Sequence, residues 1–135
     1  WGNRRIGRVS VSINAMVPKP HTQYEREAMP DPGEAKKRIR KIVKGLKSQS
    51  NVTVSFEGPK WAYIQALIAR GDRRVLDVLL EMAASDQSRW QDVLKRWPRN
   101  PDYYALRRHD PDEILPWSFY SMPGPTPCGS GGGGA

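Results

Sequence analysis

The stretch RVSVSINAMVPKPHT, residues 8–22, decides the fold. Val9, Val11, Ile13 and Ala15 alternate with Ser10, Ser12 and Asn14, the two-residue period of a strand with one apolar and one polar face. The polar face is uniform, carrying only hydroxyls and an amide. The strand stops at PKPHT, where Pro18 and Pro20 cannot donate to a ladder and push the chain into an extended loop.

Downstream, PDPG (30–33) reads as a turn, and Asp31 is placed to cap a helix whose apolar positions are Ala35, Ile39, Ile42, Val43 and Leu46. After the polar linker SQSN, VTVSF (52–56) alternates again and ends at Gly58-Pro59. A β-α-β unit is the economical reading, with parallel strands and a right-handed crossover.

From Lys60 the pattern turns helical. WAYIQALIARG (61–71) places Trp61, Ile64, Ala66, Leu67 and Ile68 together and ends at Gly71. Asp72 is expected to cap the next helix, whose broad apolar face is Val75, Leu76, Val78, Leu79, Leu80 and Met82. This helical pair is the expected core. A shorter helix, SRWQDVLKRW (88–97), opens on Ser88 and ends before Pro98. The stretch from Asn100 to Tyr120 is expected to be an extended arm docking through Tyr103, Tyr104, Leu115 and Trp117. The final PGPTPCGSGGGGA has the composition of a disordered tail. The fold class is therefore α/β, with residues 1–59 holding the β-α-β portion, 60–118 a helical extension with its arm, and 119–135 the tail.

At 135 residues, with 38% hydrophobic and 27% charged side chains, the chain suits one small globular domain. It has neither a membrane-length apolar run nor the apolar core of a signal peptide, so a cytoplasmic protein with no membrane partner is expected. A lone cysteine, Cys128, excludes an internal disulfide and a thiolate metal site. The net charge of +8 is concentrated in KKRIRKIVKGLK (36–47), where Lys36, Lys37, Arg40, Lys41, Lys44 and Lys47 can share one helical face. Such a face is solvated, a contact for an acidic neighbouring domain, or a contact for nucleic acid with Arg70, Arg73 and Arg74 as further grips. No aromatic residue is interleaved with the basic run, which argues against single-strand recognition.

Chemistry is thinly represented. His21 and His109 are far apart and have no cysteine partner, so neither a nucleophilic triad nor a metal-ligand spacing exists. The glycine run at 131–134 is no phosphate loop. Asp110, Asp112 and Glu113 read as a solvated or capping acidic turn rather than an acid/base pair. What remains is the corner after the first strand. That corner is either a structural turn or a binding site: ligands of parallel sheets bind outside the carboxyl ends of strands, which makes Asn14, Lys19 and His21 the candidate binding residues.

Three blocks, VSINAMVPKPHTQYE (11–25), SFEGPKWAYIQALIARGDRRV (55–75) and NPDYYALRRHDPDEILPW (100–117), resemble the closing part of radical SAM proteins often fused to a cobalamin-binding-like domain. The resemblance spans residues 6–118 and implies a partial (β/α) barrel. In that family an early C-x-x-x-C-x-x-C loop holds a [4Fe-4S] cluster whose open iron binds S-adenosylmethionine. Residues 1–135 contain no such loop, so the implied reading is a carboxy-terminal fragment, catalytically silent alone. Its partner would be the rest of the barrel, in the same chain or a separate subunit. Ser10, Ser12 and Asn14 would then face the cofactor cavity. A stand-alone basic module that binds nucleic acid is the alternative, and an unfinished sheet edge also invites self-association.

Overall fold

The computed structural model describes residues 7–86 and 89–120. Ser88, Cys128 and most of the expected tail lie outside those residues. The described residues form a mixed α/β structure. Strand β1 (Val9–Ile13) is followed by α1 (Pro32–Leu46), β2 (Val52–Phe56), α2 (Pro59–Arg70), α3 (Val75–Ala84), α4 (Trp90–Arg96) and α5 (Pro101–Ala105).

The strands pair in parallel, with Val9 beside Val52 and Ile13 beside Phe56. This register sets Ser10 beside Thr53 and Ser12 beside Ser55. Partners across a ladder share a face, so one side of the sheet is a field of hydroxyls. All four of these residues are exposed, whereas Val11, Ile13 and Val54 on the other side are half-buried. Among the described residues the sheet has two strands, and their outer edges carry no further pairing.

Helix α1 forms where the capping chemistry says it should. The Asp31 carboxylate accepts the backbone N–H groups of Gly33 at 2.7 Å and Glu34 at 3.2 Å, while Pro32 supplies a preset first-turn φ. Ala35 and Ile39 face inward and the seven cations of the basic run face water. Ile42 belongs to the same heptad pattern yet is 49% exposed.

The core sits in the helical half, as the periodicity predicts. Ala66, Leu67 and Ala105 have no exposure, and Tyr63, Val75, Val78, Val93, Leu94 and Tyr104 close around them, with Met29 reaching in from the loop. Each large apolar side chain buried this way contributes about 1.5–3 kcal/mol. The expected faces are narrower than their apolar content. On α3 only Val75 and Val78 are buried, and Leu76 and Leu80 are more than half exposed. On α2, Trp61 and Ile68 also point outward.

Several local expectations are corrected. Asp72 does not cap α3: its carboxylate accepts the Arg74 N–H at 2.8 Å, folding the turn ahead of the helix, whose N-cap position is Arg74 with no side-chain cap. Gly71 does close α2, but with extended backbone (φ −70°, ψ 154°), and space is what requires a glycine there. A Cβ there would lie 2.4 Å from Val75 Cγ2 and 2.6 Å from the Leu67 carbonyl oxygen. The arm is not wholly extended, because Asn100 caps α5 through the Asp102 N–H at 3.0 Å. It docks through Tyr104 and Leu115, with Trp117 half-buried, while Tyr103 stays 55% exposed.

Candidate functional site

The carboxyl ends of the two strands lie side by side because the pairing is parallel. The backbone N–H of Glu57 donates to the Ile13 carbonyl at 3.3 Å and also to Asn14 Oδ1 at 3.3 Å, so Asn14 clasps the end of β2. Beyond it the chain does not run extended, as two prolines would suggest. It coils into turns, with Glu25 N–H donating to the Thr22 carbonyl and Glu27 N–H to that of Tyr24, both at 3.0 Å. Pro18 is fully buried and anchors the corner. Thr22 Oγ1 donates to the Lys19 carbonyl at 2.8 Å, and His21 adopts φ 58°, a left-handed conformation that a non-glycine residue holds only when its surroundings fix it.

Glu25 fixes it. Its carboxylate accepts the His21 backbone N–H at 2.8 Å and the Trp117 indole N–H at 2.9 Å. Burial pushes the Glu25 carboxyl up, but those two hydrogen bonds and the neighbouring Arg26 charge together hold it below its usual range. The His21 ring meets Tyr120 edge-on at 6.0 Å. Asn14, Lys19 and His21 are all exposed around this corner, and none is hydrogen-bonded to another. Asn14 is held at the end of β2, and Lys19 and His21 are fixed in the turn that follows by Thr22 and Glu25.

Behind the corner lies a charged cluster. Glu113 accepts a two-pronged contact from Arg107, at 2.7 and 2.5 Å, and a contact from His109 Nδ1 at 3.2 Å. The Arg107 bond, resisted by desolvation, draws the Glu113 carboxyl down to about 2. The acidic turn is thus only partly solvated, and Glu113 is its structural anchor. His109 is 3% exposed and packs edge-on against Trp117 at 5.9 Å. Desolvation, then the charges of Arg70 and Arg107, hold its imidazole below its ordinary value and keep it neutral.

Arg70 is 1% exposed and donates to the carbonyls of Ala105 at 3.1 Å and Arg107 at 2.6 Å. It cannot grip a nucleic acid, and Arg74 is paired with Asp72 at 3.4 Å. Arg26 completes the brace by donating to the carbonyls of Asp110 and Glu113. The sequence pattern marked Trp117 as a docking residue but gave no sign of its partner Glu25 or of Arg26, since these contacts span 84 to 92 residues.

No group of three or more histidine, cysteine or acidic side chains able to hold a metal ion occurs among the described residues. No helix among them is long and apolar enough to cross a membrane.

No known family profile matches the chain, and no solved structure does. A stretch of 72 residues is 36% identical to the uncharacterized protein MJ0966 of Methanocaldococcus jannaschii. The match takes in 53% of this chain and 16% of that protein.

Proposed function

We propose that this chain is the closing β-α-β segment and helical cap of a radical SAM iron-sulfur protein, a cytoplasmic enzyme that cleaves S-adenosylmethionine reductively. The observation that carries the reading is the hydroxyl face formed by Ser10, Ser12, Thr53 and Ser55 on a parallel sheet. Parallel sheets normally bury both faces under apolar side chains. A polar face is at home where it lines a cavity that holds a polar ligand, and here it leads to the strand-end corner of Asn14, Lys19 and His21. Among the described residues both edges of the parallel pair are open, which likewise favours further strands, supplied in this reading by the rest of the barrel.

The described residues offer no ligand set for a cluster; in this reading the [4Fe-4S] group is held by the remaining barrel. This segment's task is to bind and orient. Asn14 presents an amide, Lys19 a cation for a carboxylate, and His21 a ring at the rim. In the full-length native protein, Asn14→Ala is expected to weaken S-adenosylmethionine binding, measured by calorimetry, with the iron content unchanged. Binding equal to that of the wild type would overturn the reading.

A further inference from the structure

The basic run on α1 has no aromatic neighbour in the sequence, but it has two in space. Phe56 at the end of β2 and Trp61 in the first turn of α2 are 56% and 52% exposed, and both border the helix. Two adjoining hollows of ≈400 and ≈530 Å³ share Ile39, Arg40 and Phe56, making one groove along α1. Lys44 and Lys47 line its far end, and Lys36 and Lys60 its near end beside Trp61. No carboxylate lines it among the described residues. The Glu34 carboxylate is engaged with Arg38, at 2.5 Å.

A row of cations above an apolar floor with two outward aromatic faces is the chemistry that takes single-stranded nucleic acid. Phosphates track the cations while bases stack on the rings, regardless of sequence. From Lys36 to Lys47 the helix rises about 16 Å, long enough for several nucleotides. A protein partner of acidic character would use the cations and leave Phe56 and Trp61 unexplained. We infer that the α1 groove, with Phe56 and Trp61 as stacking platforms and Lys36, Arg40, Lys44, Lys47 and Lys60 as phosphate contacts, binds a single-stranded polynucleotide. The inference does not rest on S-adenosylmethionine chemistry, and the two can fail separately.

The test is fluorescence anisotropy of the native full-length protein with labelled oligouridylate, oligothymidylate and a duplex of equal length, over a salt series. Both single strands are expected to bind more tightly than the duplex. The double variant Arg40→Ala/Lys44→Ala should lower the salt slope by about 1.4. Trp61→Ala should weaken binding roughly tenfold, and Trp61→Phe, which keeps a ring face, should restore most of it. Absence of binding at low salt, equal affinity for the duplex, or Trp61→Ala binding like wild type would each overturn the inference.

Discussion

The Trp117 indole N–H donates to the Glu25 carboxylate at 2.9 Å, joining the loop after β1 to a point 92 residues further along the chain. The same carboxylate holds the His21 amide, so the positive φ of His21 is maintained by a contact from the arm. Replacing Trp117 with Phe keeps the ring against His109 but removes the donor. It is expected to lower stability by about 1 kcal/mol in chemical denaturation. The His21 amide should also exchange faster, whereas an unchanged rate would separate the arm from the corner.

Acid should unfold the protein in two stages. His109 is held below its ordinary 6.5 by burial and two arginines, so the unfolded chain takes up its proton first and stability declines as pH drops below that value. Glu113, drawn from 4.5 to about 2, adds stability that is complete above 4.5 and disappears as pH falls toward 2. Glu113→Gln is expected to shrink the lower stage, to which the lowered Glu25 also contributes, and to cost about 2 kcal/mol at neutral pH through its lost Arg107 pairing. A pH–stability profile whose lower stage is undiminished in this variant would contradict the assignment.

Gly71→Ala is expected to destabilise by about 1–3 kcal/mol, because the added methyl meets Val75 and the Leu67 carbonyl and one of the two helices must shift. The predicted loss would appear in thermal unfolding. A neutral result would mean that α2 and α3 can part at no cost.

Tyr63 donates its hydroxyl to Asp102 at 2.5 Å, linking α2 to α5, and burial followed by that bond pushes the phenol well up. Tyr63→Phe should cost about 1 kcal/mol and leave the fold intact. Equal stability of the two proteins would show that Asp102 is as well served by water.

Much of the architecture was legible because it is written in local periods. The alternation at Val9–Ile13 and Val52–Phe56, the Asp31 cap and the helical spacing of Ala66 and Leu67 all act within a few residues. What was not legible depends on distant partners. Trp61, Leu76 and Leu80 are apolar at helical spacing, and only the placement of neighbouring elements decides that they face outward. Glu113 reads as a solvated acid until Arg107 and His109 are folded onto it. At the corner after β1, the Glu25–Trp117 clamp that holds His21 was not legible, because it joins residues 92 apart. The pairing of basic helix with aromatics likewise arises only when β2 and α2 return beside α1.

The native gene product, isolated anaerobically, can be weighed intact and assayed for iron, sulfide and reductive release of methionine from S-adenosylmethionine. A mass well above 15.3 kDa is expected, with a three-cysteine loop upstream in the same chain or in a tightly bound partner, and iron with that activity. A product of about 15.3 kDa with no iron-bearing partner, or a larger one free of iron, would overturn the radical SAM reading.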